Sequence, residues 1–186
     1  MSLVKLIAEA DERGLAVSGL ACLDRCVPLL GGDDEVLRPL WASLAEDAAA
    51  GDWAPRLERT RGTLDAAADG GGEAAALARR MLDAAPARWS AAALRTWADG
   101  CSAAALRIHR LLDGAAADAA DLDDARRAGR AEGLSPLLAA ELRRQIAVLE
   151  LLSAHGPAGL RGALEVSTEG RRVLRAVVSR RSRRAG

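Results

Sequence analysis

The sequence predicts an all-α fold, a compact bundle of about seven to eight helices joined by short loops. Three observations predict it. The 186 residues include 43 Ala, 29 Leu and 25 Arg, all strong helix formers, and no Phe, Tyr or Asn. No run of β-branched and aromatic residues alternates with period two, so strand signals are nearly absent. Apolar residues instead recur at three- and four-residue spacing between glycines and prolines that act as stops. One Lys (Lys5), one Gln (Gln145) and the missing Asn are also the vocabulary of a GC-rich bacterial genome, which removes functional meaning from most of the arginines.

Taken in order, Leu3, Leu6 and Ile7 form one face of a first helix that Arg13-Gly14 interrupts. Leu20, Leu23, Val27 and Leu30 carry a second, which Gly31-Gly32 ends. Asp33-Asp34-Glu35 is an acidic start for a third, through Leu37, Leu40, Trp41 and Leu44 to Gly51. Asp52 then reads as an N-cap, with Pro55 in the first turn of a helix through Leu57 and Leu64. Gly70-Gly71-Gly72 is a loop before a helix from Glu73 to Ala85. Ser90 caps a long helix to Asp113 whose stripe is Leu94, Trp97, Cys101, Ala105, Ile108 and Leu112.

From Asp118 a short helix runs acidic to basic, matching the helix dipole, and Gly114 to Gly133 is the one candidate linker. Ser135-Pro136 caps a helix to His155 with a seam of Leu138, Leu142, Gln145 or Ile146, Leu149 and Leu152. Gly156-Pro157 stops it. A short turn over Leu160 to Glu165 follows, and Ser167 or Thr168 caps a final helix through Val173, Leu174, Val177 and Val178. Residues 1–170 thus read as a helical bundle, and 171–186 as a basic amphipathic terminal helix or tail of the same domain.

Most candidate chemistry dissolves on inspection. Cys22 and Cys26 share a helical face, but with no CxxC pair or neighbouring His they read as small buried hydrophobes. Neither His109 nor His155 has a Glu three residues before it, so the di-iron bundle pattern is missing; His155 suits a helix C-terminus. Counting a calcium loop from Asp121 puts Arg126 at position six, where glycine is required. Adjacent carboxylates such as Asp33-Asp34 and Glu46-Asp47 point apart on a helix. Gly70-Gly71-Gly72 lacks the Lys-Ser/Thr ending of a phosphate loop. The four tryptophans read mainly as core filling, with Trp53 and Trp89 peripheral. No catalytic, cofactor-binding or metal-binding residue is assigned, and no cofactor is expected.

One segment rises above this background. Charges balance at 26 basic against 26 acidic, yet Arg171, Arg172, Arg175, Arg180, Arg181, Arg183 and Arg184 are gathered after residue 170 without one acid. The remainder carries 19 basic and 26 acidic residues, so a body of −7 bears a segment of +7. These arginines are the expected contacts of a non-enzymatic interaction or regulatory module, with an unknown protein partner or a homodimer formed through an Ala-rich face or the 136–155 seam. The alternative is a nucleic-acid or anionic-membrane binder using the same arginines. The third reading is a small-molecule binder or enzyme with a Trp- and Leu-lined pocket beside His109 or the Cys22/Cys26 face. No secretion signal or membrane span is expected, which predicts a cytoplasmic protein.

Overall fold

A computed structural model describes residues 1–45, 49–67, 71–114 and 118–186. The Glu46-Asp47 pair and Gly70 lie outside them. The described residues form nine α-helices and no strand: α1 (Leu3–Glu9), α2 (Glu12–Arg25), α3 (Arg38–Ala45), α4 (Ala49–Ala66), α5 (Glu73–Asp83), α6 (Ala91–Asp113), α7 (Ala119–Ala128), α8 (Pro136–His155) and α9 (Leu160–Ala185). Short 3-10 turns at Val27–Leu29 and Gly156–Gly159 follow α2 and α8. Among the described residues no helix is long and apolar enough to cross a membrane.

Local chemistry explains the helix starts. Ser90 and Ser135 cap α6 and α8 by accepting from the N–H groups of Ala93 and Leu138, three residues on. Asp118 and Asp121 form a reciprocal capping box at the head of α7, the job of the acids that resembled a calcium loop. Arginine does similar work at helix ends. Arg61 on α4 donates to the carbonyls of Leu82, Asp83 and Ala85 at 3.2, 2.9 and 2.8 Å, satisfying the open end of α5.

Helix α2 is the axis of the bundle. Every residue from Gly14 to Arg25 is buried, because α6, α8, α9, α3 and α5 pack round it. Gly19 makes the α2–α6 approach possible: a Cβ there would come within 2.6 Å of the Trp97 ring. Trp53 is fully buried rather than peripheral, edge-on to Trp97 and to half-buried Trp89. The seam of α8 faces inward, with Leu138, Leu142, Gln145, Leu149 and Leu152 all buried. It is occupied by the chain's own core and is closed to a dimer partner.

Several boundaries differ from expectation. Arg13 and Gly14 lie inside α2, whose N-cap is Asp11, α2 ends at Arg25 and not at Gly31, and α3 begins at Arg38 and not at Asp33. Asp52 does not cap a helix; α4 already runs through it, and its carboxylate pairs with Arg56 at 3.1 Å, with Pro55 inside the helix. The predicted break between residues 165 and 167 is also absent. Ser167 and Thr168 donate back to the carbonyls of Ala163 and Leu164 at 2.8 and 2.9 Å, so both hydroxyls are satisfied within the helix and α9 continues for 26 residues. The boundary drawn at residue 170 therefore falls inside one helix.

Candidate functional site

The seven arginines after residue 170, all on α9, divide by which way the helix turns them. Ala163, Ser167, Gly170, Arg171 and Leu174 form its buried side, against α2, α3, α6 and α8. Arg171, on that side, is paired with buried Asp24 of α2, which also accepts from Trp41 Nε1 at 3.0 Å. Arg175 pairs with Asp34, to which Arg171 also comes within 3.8 Å. Arg181 donates to the Leu112 carbonyl at 2.9 Å, closing the end of α6. Three of the seven thus hold the helix to the body. Arg172, Arg180, Arg183 and Arg184 are exposed, and among the described residues no acid pairs with any of them.

A second constellation, which sequence reasoning missed, lies in the core. Arg25 of α2 grips Glu141 of α8 in a two-pronged pair, Nε to Oε2 at 2.8 Å and Nη2 to Oε1 at 2.7 Å, and neither side chain is exposed at all. Gln145, one turn along, donates to Glu141 Oε1 at 2.9 Å and to the Ser102 carbonyl at 3.3 Å. The Ser102 hydroxyl donates to Gln145 at 2.6 Å and accepts from Arg126 Nε at 3.1 Å, and Arg126 reaches Asp99 at 2.5 Å. The chain of polar groups thus joins α2, α8, α6 and α7. The clue lay in α8, where Glu141 and Gln145 share a stripe with Leu138, Leu142 and Leu149. A charge within an apolar stripe asks for a buried partner.

His109 completes this cluster. Its Nδ1–H donates to the Ala105 carbonyl at 2.7 Å, since a carbonyl can only accept, which leaves the Nε2 lone pair 3.5 Å from Glu141 Oε2. Burial favours the neutral ring and outweighs the pull of Glu141, lowering the imidazole pKa below 6.5. Burial acts to raise Glu141, but the Arg25 guanidinium, His109 and the Gln145 hydrogen bond win, holding the carboxyl at about 2 instead of 4.5. At Asp24 burial prevails over Arg171, so that carboxyl is raised above its ordinary value. The three thiols are free and buried; burial pushes Cys22 up to about 12 and raises Cys26 and Cys101 well above 9.0, so all stay protonated and unreactive.

The signs give a pH prediction. A depressed carboxyl such as Glu141 adds stability that is complete above 4.5 and is lost as pH falls through about 2. His109, neutral when folded and more readily protonated when unfolded, adds stability that is complete above 6.5 and is lost below it. Asp24 acts oppositely, favouring the fold below 3.8 and less so as pH rises through its higher folded value. The expected result is a urea midpoint that declines between about pH 7 and about pH 5, with His109→Gln flattening that part of the profile. An unchanged slope in the variant would show that His109 does not titrate on unfolding.

Surface clefts lie elsewhere. One of about 110 Å³ is lined by Asp24, Asp34, Glu35, Leu37, Trp41 and Arg171 among others, and its acids and arginines are largely spoken for by one another. Another, of about 350 Å³, runs from Met1 and Leu6 to Leu149 and Leu152. A third, of about 270 Å³, lies between Gly129–Glu132 and Leu142–Ile146. None of these three is lined by His109, Cys22 or Cys26. Among the described residues no group of three or more His, Cys, Asp or Glu is placed to hold a metal ion. Compared with protein-family models, curated proteins and solved structures, the chain matches none.

Proposed function

We propose that this chain is a non-enzymatic helical interaction module that docks a protein partner through the outward face of α9. The observation that carries the reading is the exposed set Arg172, Arg180, Arg183 and Arg184 on a helix anchored by its other arginines. A rigid helix presenting guanidinium forks loses little side-chain freedom per contact and suits carboxylate recognition. The buried polar cluster is closed to solvent and serves the fold, so it supplies no competing active site. Membrane insertion is disfavoured because an interfacial helix must free its apolar side, and Leu174 of α9 is wholly buried against the body. A long polyanion would meet the −7 charge of residues 1–170 as well as the arginines. The reading places the protein in the cytoplasm, consistent with three unpaired thiols.

The test compares the wild type with a variant carrying Arg172→Ala, Arg180→Ala, Arg183→Ala and Arg184→Ala. Crosslinking in extract is expected to give protein adducts with the wild type that fall at least about tenfold in the variant. A 30-base-pair duplex and phosphatidylserine vesicles serve as comparison ligands. Tight, steeply salt-dependent binding to either of them, with no arginine-dependent protein adduct, would overturn the reading.

A further inference from the structure

The outward face of α9 is acidic in its first half and basic in its second. Glu165, Glu169, Arg172, Ala176, Arg180 and Arg184 follow one another at three- to four-residue spacing, so they lie along one stripe. All six are exposed. Half-buried Val173 and Val177 flank its centre. Such a stripe is complementary to itself when reversed. Laid antiparallel on a copy, with the two-fold axis between Leu174 and Arg175, it opposes Glu165 to Arg184 and Glu169 to Arg180 on both sides, with Val173 opposite Ala176 at the crossing.

Resting on the reading of α9 as a docking helix, we infer that its partner is a second copy of this chain, paired α9 to α9 about that axis. Each copy supplies both halves of the charge pattern, which is the condition for an isologous two-fold contact. The formal net charge of the chain is zero, so two copies approach without overall repulsion. The small Ala176 at the centre allows the helices to close to ordinary packing distance. Existing partners of the acids do not block the exchange. Glu165 meets Arg161 at 3.3 Å in an exposed pair of the kind that contributes little and re-forms readily. Glu169 is exposed but meets the mostly buried Arg144 at 3.4 Å, and a carboxylate with two oxygens can accept from a second guanidinium beside the first. The opposed stretch from residue 165 to 184 is about 28 Å long at the helical rise, a small interface that makes the dimer weak, salt-sensitive and reversible.

Sedimentation of the full chain at low salt, from about 10 µM to about 1 mM, is the test, since a small interface places its dissociation constant in that range. The wild type is expected to shift from monomer to dimer over the range and to return towards monomer in about 0.5 M NaCl. Glu165→Arg/Glu169→Arg makes the stripe wholly basic, and Arg180→Glu/Arg184→Glu makes it wholly acidic in its charged ends. Each alone is expected to weaken dimerisation at least tenfold, and an equimolar mixture of the two is expected to restore it as a heterodimer. Circular dichroism melts check that all four exposed positions leave the fold intact. A wild type monomeric throughout, or variants that dimerise as well as it does, would overturn the proposal. If the wild type is monomeric while arginine-dependent adducts with other proteins persist, only the dimer fails and the docking role stands.

Discussion

Glu141→Gln is expected to lower the stability of the folded chain by about 3–5 kcal/mol, the usual cost of breaking a fully buried ion pair from one side. The amide keeps the shape of the carboxyl but not its charge. It leaves the Arg25 guanidinium unneutralised between α2 and α8, where neither partner is exposed. It also turns an NH₂ group towards donors that now meet an acceptor, since Glu141 receives Arg25 Nε, Arg25 Nη2 and Gln145 Nε2. Against a total stability of about 5–15 kcal/mol, such a loss approaches unfolding. The companion measurement is Arg25→Met/Glu141→Leu. Two apolar side chains carry no desolvation penalty, so the pair of changes is expected to cost less than Glu141→Gln alone. Urea denaturation decides it: a single-variant loss below about 1 kcal/mol would mean that the pair is not what ties α2 to α8.

The second large effect is expected at Trp53. Its indole is fully buried, edge-on to Trp89 with ring centres 5.8 Å apart and to Trp97 at 5.9 Å, and its Nε1–H donates to the Pro86 carbonyl at 2.8 Å. Trp53→Ala removes a large volume from between α4 and the 86–90 segment and is expected to cost about 3–5 kcal/mol. The two ring contacts and the orphaned carbonyl place it towards the upper end. Trp89→Ala is expected to cost less, because that ring is only half-buried and its Nε1–H goes to Glu12 at 2.9 Å on the exposed side. Equal losses at the two positions would contradict the central place given to Trp53. In Trp53→Ala the emission of Trp89 is also expected to move to longer wavelength as its packing partner disappears.

How much of this could be read from the sequence depends on the range of the interaction. Helix class, the caps at Ser90 and Ser135 and the stop after Asp113 follow from neighbours a few residues apart, and the structure has them where the residues predict. The break expected near residue 166 is absent because Ser and Thr serve helix interiors as well as caps: a hydroxyl bonded to the carbonyl four residues back is compatible with helix. The partner of Glu141 is illegible for a different reason. The apolar stripe of α8 marks Glu141 as buried, but Arg25 stands 116 positions away, and in a chain with 25 arginines nothing local says which of them answers it. The same holds for Arg171 and Asp24, 147 positions apart, which is why composition could locate the basic segment but not say which of its arginines were free.

Gly170 connects the two. It has no side chain where α9 crosses α2, and a Cβ at that point would stand 2.3 Å from Arg25 Cδ and 3.1 Å from Arg144 Cδ. The Arg25 stem cannot step aside, because its head is fixed on Glu141 by two hydrogen bonds. Turning α9 by one residue about its axis would drive the Glu169 or Arg171 side chain into that contact. The glycine therefore works as a keyway: one missing methyl group sets the angular position of the whole helix. The silent ion pair in the core thereby indexes which side chains of α9 look outward, so a change at Gly170 would be felt at Glu169 and Arg180 without touching either.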